Sequence, residues 1–324
     1  MKGKLYKVLS LLFVAVIAWG IMSTTASAAD NDTFTVDNLT YTVLSEDEKT
    51  VSVRAKDVSV SGDITIPGTI SNGDNTYSVI SIEEYAFYDF TGLKKVTILD
   101  GVTSIGKSAF NNCANLTQIV IPDSVTSIGE QAFYNCDLLT EVNIPGNITR
   151  LEYQLFYDCY SLTQITIPDG VTEIGMSVFE QCTNLSTVNI PDSVTKIENS
   201  AFNRCSNLSN IEIPENIDVI SAYVFEGCVK LTEISIPDGV TKIGASAFDG
   251  CSNLAKVEIP NTVTDIGDTA FLNCKMLSEI TLPDSVTKIG SWAFQGCTGL
   301  TDIVFPDELT SIGGGGIPSL YWSY

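Results

Sequence analysis

One period governs this chain of 324 residues: the same cassette returns every 23 positions. Cys113, Cys136, Cys159, Cys182, Cys205, Cys228, Cys251, Cys274 and Cys297 stand one period apart. Phe87, Phe110, Phe133, Phe156, Phe179, Phe202, Phe225, Phe248, Phe271 and Phe294 form a second ladder beside them. A unit this short cannot bury an apolar face alone, so each copy must pack on its neighbours, and a solenoid follows. Such a fold presents long surfaces rather than closed clefts, which points toward binding and away from catalysis.

Within each period the pattern is C-x2-L-x2-I-x-I-P-x2-V-x2-I-x3-A-F, as in Cys228, Leu231, Ile234, Ile236, Pro237, Val240, Ile243, Ala247 and Phe248. The I-x-I step alternates with period two and predicts a strand with one buried face. Proline ends it, because it has no N–H for a ladder. The V-T-x-I segment predicts a second short extended stretch. The A-F-x2-C segment predicts one turn of helix or 3₁₀ helix, and the glycine ahead of it (Gly106, Gly129, Gly175, Gly244, Gly267, Gly290, Gly313) a corner of positive φ. The architecture is thus an α/β repeat of short parallel strands and short helical turns. Ten coils stacked at about 4.8 Å give a length of roughly 50 Å.

The ends differ. Lys2, Lys4 and Lys7 precede an apolar run over 8–22, and Ala26-Ser27-Ala28 follows. That order predicts a cleaved signal peptide over 1–28; the run is short for a membrane span. A β-rich N-terminal cap is expected over 29–57, the repeats over 58–312 with the first enlarged around 71–79, and a C-terminal cap or shortened end over 313–324. Export places the chain outside the cell, secreted or at the cell surface, with no membrane insertion after cleavage. Losing three lysines takes the net charge from −22 to −25. A field of that sign repels nucleic acid and anionic lipid.

These residues resemble the BspA-like, or treponema-type, leucine-rich repeat of bacterial surface proteins, over about residues 34–320. Leu39-Thr40-Tyr41-Thr42-Val43 is similar to the lead-in strand often found there. Leu99 in place of the proline, Phe90 in place of the first cysteine and the glycine-rich end depart from the pattern. The resemblance implies a right-handed leucine-rich-repeat solenoid, a role in adhesion to host components or other cells, and no catalytic motif.

Chemistry is sparse. With no histidine the commonest general base is missing, and a hydrolytic pair of carboxylates would have to converge in a cleft the repeat does not offer. The chain is expected not to be an enzyme and to need no cofactor. Nine cysteines one coil apart have parallel Cβ vectors too distant for easy pairing, which favours buried free thiols over disulfides; no C-x2-C pair suggests a metal. Asp123, Asp169, Asp192, Asp238, Asp284 and Asp307 after the proline suit turns better than a calcium column, since Gly146, Glu215 and Asn261 interrupt them.

Two candidate ligand-binding surfaces remain. Outward positions flanking the buried strand residues are polar and turn acidic toward the C-terminus; Glu141, Gln164, Asn210, Glu212, Glu233 and Glu258 are the candidates there. Tyr134, Tyr153, Tyr157 and Tyr160 cluster where the repeat does not demand tyrosine, a composition suited to sugar stacking or a protein hot spot. The expected partner is a protein or glycan at a cell surface or in a matrix, bound by a monomer. The alternative is a structural spacer that binds nothing.

Overall fold

A computed structural model describes residues 29–315. The expected signal segment, and Ile317 and Leu320, which fall in phase with the phenylalanine and cysteine ladders, lie outside the described residues. The chain opens with a meander of β1 (Thr33–Val36), β2 (Leu39–Ser45) and β3 (Thr50–Ala55), paired antiparallel. The turn at Asp37-Asn38 takes positive φ at Asp37, which aspartate tolerates better than most residues. Phe34, Tyr41 and Tyr77 pack their rings at 5.4 and 5.5 Å. The enlarged first coil is β4 (Gly62–Ile66) followed by a hairpin of β5 (Thr69–Asn72) and β6 (Asn75–Ile82). Strand β6 lies parallel to β3 on one side and to Ser104–Ile105 on the other, so the meander continues directly into the solenoid.

Each later coil has three sides. The I-x-I segments form the first: β4, Leu93–Ile98, Gln118–Val120 and Glu141–Val142 pair in parallel, as do Gln164–Thr166 with Thr187–Asn189, and Glu233–Ser235, Lys256–Glu258 and Glu279–Thr281. The V-T-x-I segments form the second, each strand displaced from the next by one period. A one-residue slip would turn every buried side chain to solvent, so the apolar pattern fixes the register.

The third side differs from the helical turn the sequence predicts. Among the described residues there is no helix; the A-F segment is a string of turns. Two residues per coil, two before and two after the phenylalanine, adopt left-handed φ: Ser108 and Asn112 around Phe110, Gln131 and Asn135 around Phe133. Alternating hand directs every second N–H toward the next coil. Ser108, Phe110 and Asn112 donate to Glu130, Ala132 and Tyr134 at 2.8–2.9 Å, whereas Ala109, Asn111 and Cys113 bond three residues back. Every N–H in the segment is thereby satisfied without a helix.

The corner glycines also act otherwise than expected. Gly106, Gly129 and Gly244 do not have positive φ. They sit where a neighbouring coil comes close: a Cβ at Gly129 would lie 2.5 Å from Lys107 N, and one at Gly106 2.6 Å from Glu84 N. Space, not handedness, selects glycine there.

The core is a set of identical stacks. Consecutive phenylalanine rings from Phe87 to Phe294 lie 5.1–5.8 Å apart and within 20° of parallel. All nine cysteines are buried free thiols. Each has a second role besides filling volume: Cys113 Sγ donates to Phe87 O at 3.1 Å and Cys136 Sγ to Phe110 O at 3.3 Å, and the remaining seven repeat the contact at 3.0–3.3 Å. The thiol thus gives a buried carbonyl its second hydrogen bond, which an aliphatic side chain of the same size would not. Burial pushes the Cys113 thiol up to about 12 and drives Cys136, Cys182, Cys205 and Cys251 well above the ordinary range.

Candidate functional site

Between the first coil and Glu279–Thr281 the regular stacking is interrupted twice, and both interruptions open on the strand side. Glu141–Val142 pairs with the preceding coil but not with Gln164–Thr166. Further along, 210–213 is not a strand, and neither Thr187–Asn189 nor Glu233–Ser235 pairs across it. The second sheet breaks beside the same coils, between Ser127–Ile128 and Arg150–Leu151 and between Lys196–Ile197 and Val219–Ile220. The turn side does not break. Phe133 N donates to Leu155 O at 3.1 Å, Phe202 N to Val224 O at 3.0 Å and Phe225 N to Ala247 O at 2.9 Å. The coils are therefore held along one spine and parted on the side away from it.

The corner sequence marks both coils. In the other coils between Pro122 and Pro283 the proline is followed by D-S-V, D-G-V or N-T-V; here it is followed by Gly146-Asn147-Ile148 and Glu215-Asn216-Ile217. Ser124, Ser193 and Ser285 each donate to a valine carbonyl of the preceding coil at 2.7 Å. Asn147 and Asn216 reach instead to Asp123 O and Asp192 O, at 2.8 and 3.1 Å. A longer polar side chain and an isoleucine for valine thus replace the regular corner where pairing fails. The substitutions themselves are visible in the sequence.

Each break forms a groove. One, of about 610 Å³, is lined by Gln118, Glu141, Asn143 and Gln164 among others. Asn143 there turns its amide onto the preceding coil, accepting from Ile121 N at 3.0 Å and donating to Ile121 O at 2.6 Å, a side chain in place of a ladder rung. Gln118 Nε2 donates to Glu141 Oε2 at 3.1 Å. The second groove, of about 460 Å³, is lined by Asp192, Asn210, Glu212, Glu215, Glu233, Lys256 and Glu258 with Ile190 and Pro214. Both volumes are those of binding clefts rather than packing defects.

All six strand-face candidates therefore border a groove, Glu141 and Gln164 at the first, Asn210, Glu212, Glu233 and Glu258 at the second. Asn143, Asp192, Glu215 and Lys256 also line the grooves and are not among the strand-face candidates read from sequence.

The tyrosines lie elsewhere, on the turn side. Tyr134 and Tyr157 are half-buried and stack on each other at 4.8 Å and 1°, so their facing surfaces are closed to a sugar. Gln181 Nε2 donates to the Tyr157 hydroxyl at 3.0 Å. Tyr153 and Tyr160 are exposed. Burial, with a hydrogen bond to Asp158, pushes Tyr160 up to about 12. The four residues are close together, but they form part of the solenoid's own stacking, and neither of the two grooves meets them.

The two sheets differ in charge. On the second sheet Arg150, Glu173 and Lys196 stand in register. Arg150 Nη1 meets Glu173 at 2.9 Å and Lys196 meets Glu173 and Glu198 at 2.6 Å. Further along, Lys288 meets Asp265 at 3.3 Å. On the strand side at the second groove one cation, Lys256, is tied to Glu258 at 2.5 Å, and Asp192, Glu212, Glu215 and Glu233 form no ion pair among the described residues. No group of three or more acidic or thiol side chains converges tightly enough to hold a metal ion among the described residues.

Comparison with known proteins fits this geometry. The profile of the BspA type leucine rich repeat region matches in six copies, over residues 69–185, 129–253 and 218–316. A solved leucine rich cell surface protein from Faecalibacterium prausnitzii A2-165 is 30% identical over 89% of this chain and 86% of its own, with a TM-score of 0.65. A leucine-rich repeat protein from Bacteroides ovatus ATCC 8483 is 28% identical, covering 87% and 92%, with a TM-score of 0.49. The pneumococcal vaccine antigen PcpA shares the fold at 21% identity, covering 88% and 78%, with a TM-score of 0.56. No curated protein matches.

Proposed function

This chain belongs to the BspA-type leucine-rich repeat family, and we propose that it is a secreted or surface-displayed binding protein that adheres to a partner protein through its strand side. The observation that carries this reading is the pair of grooves, both on one side of the solenoid and both at coils whose corner sequence departs from the repeat. A spacer needs only regular coils. The relative at 30% identity is described as a cell surface protein, and the basic-apolar-small order of residues 1–28 supports export of this one. No helix among the described residues is long and apolar enough to cross a membrane. The reading is non-catalytic, as proteins of this repeat family generally are.

The test is a binding screen of the purified protein against matrix proteins, mucins and glycans. A saturable protein ligand is expected, weakened at least about tenfold by Glu233→Lys with Glu258→Lys and unchanged by Tyr134→Ala with Tyr157→Ala. Loss confined to the tyrosine pair would move the site to the turn side. A blank screen would leave the spacer standing.

A further inference from the structure

We propose that the groove at the second interruption receives an extended, lysine- or arginine-bearing segment of a partner protein. This rests on the strand-side reading above and specifies its chemistry.

Three observations converge on this groove. The first is the backbone. Asn210, Ile211, Glu212 and Ile213 neither donate nor accept a backbone hydrogen bond with either neighbouring coil among the described residues, although both neighbours pair normally on their far sides. Donors and acceptors that the ladder would have consumed are therefore left at the groove, where hydrogen bonds to an incoming chain would satisfy them. The Ile211 and Ile213 side chains stay buried, so the coil keeps its place in the core while its main chain is uncommitted.

The second is charge. Asp192, Glu212, Glu215, Glu233 and Glu258 line the groove, all exposed, against the single cation Lys256. Asp192 and Glu215 stand one period apart at the same corner, where like charges repel, and Lys256, in register with Glu233 and paired with Glu258, is the only cation lining the groove against the five carboxylates. Cationic side chains from outside would supply the missing counter-charges and form charge-assisted hydrogen bonds with the carboxylates.

The third is shape. A groove of about 460 Å³, walled on its apolar side by Ile190 and Pro214, can take side chains and their stems rather than a flat protein surface. Lysine and arginine carry such stems. Nucleic acid and anionic lipid are repelled by the same charge.

The probe is a lysine–serine dodecapeptide, titrated into the purified protein at physiological salt alongside its acetyl-lysine counterpart. Saturable one-to-one binding of the lysine peptide and none of the acetylated one are expected. Glu212→Gln with Glu233→Gln and Glu258→Gln should weaken it more than about tenfold. Asp74→Asn with Asp100→Asn and Asp123→Asn removes the same charge away from the groove and should change it less than about twofold. Equal loss in both variants would show general attraction to an acidic protein and overturn the proposal, as would no binding by the native protein. If a partner from the screen still depends on Glu233 and Glu258 while the lysine peptide does not bind, the strand-side reading stands and this specification of it falls.

Discussion

Raising the pH from 8 to about 10 is expected to unfold this protein cooperatively, with reductant present throughout. The cause is the cysteine ladder. Burial holds Cys113, Cys136, Cys159, Cys182, Cys205, Cys228 and Cys251 in the protonated form far above the ordinary thiol value of 9.0, and for Cys274 a hydrogen bond with Cys297 leads and burial adds. In the unfolded chain the same thiols ionise near 9. Above that pH the unfolded state binds fewer protons than the folded one, so stability falls as pH rises; below it the stability is fully present. Each thiol loses about 1.4 kcal/mol per pH unit in that window. Eight together lose on the order of 11 kcal/mol by one unit above 9, comparable to the whole stability of a typical domain. The buried Tyr41 phenol, pushed up to about 12 by its surroundings, adds in the same direction from about pH 10. Denaturant titrations at pH 7, 9 and 10 measure the slope. Replacing Cys159, Cys182, Cys205 and Cys228 by alanine should roughly halve it. A protein equally stable at pH 7 and pH 10, or a variant with an undiminished slope, would refute this account of the ladder.

Removing one ring from the middle of the phenylalanine stack should cost nearly as much as any single substitution here. Phe179 is fully buried between Phe156 and Phe202, at 5.7 and 5.4 Å. Phe179→Ala loses the ring's transfer free energy and leaves a cavity, about 3–5 kcal/mol together. Because each coil touches only its neighbours, the damage also uncouples the coils on either side. A single urea transition should therefore become broader or split in two, whereas Phe294→Ala near the end should lower stability without splitting it. A Phe179→Ala protein that unfolds in one transition within about 1 kcal/mol of the native value would show that the stack does not bind the coils together.

Much of this fold is legible in the residues, and the parts that are not have physical reasons. The I-x-I strands, their register and the buried phenylalanines follow from periodicity, since burial forces apolar residues onto one face. The turn side misleads because Phe110 and Cys113 stand three apart, a spacing shared by a helix and by alternating-hand turns. What distinguishes them is the position two after the phenylalanine: Asp89, Asn112, Asn135, Asp158, Gly227, Gly250, Asn273 and Gly296 are residues that accept left-handed φ, and Gln181 and Arg204 are the two exceptions. The strand-face candidates could be named because exposure alternates with burial along a strand. Their division between two grooves could not, because exposure alternates in the same way whether or not neighbouring coils pair. For the tyrosines, sequence gives proximity but not orientation, and Tyr134 and Tyr157 face each other.

Amide hydrogen exchange on the free protein tests the central claim, that the breaks after Glu141–Val142 and around 210–213 make the strand side a recognition surface. The amides of Ile211 and Ile213 have no backbone partner, whereas Phe202 and Phe225 on the turn side donate across the same coil at 3.0 and 2.9 Å. The account predicts exchange at 211 and 213 at least about a hundredfold faster than at 202, 225, 234 and 257. Uniform protection around that coil would mean that the ladder runs through unbroken, and the grooves with their uncommitted main chain would not exist in solution.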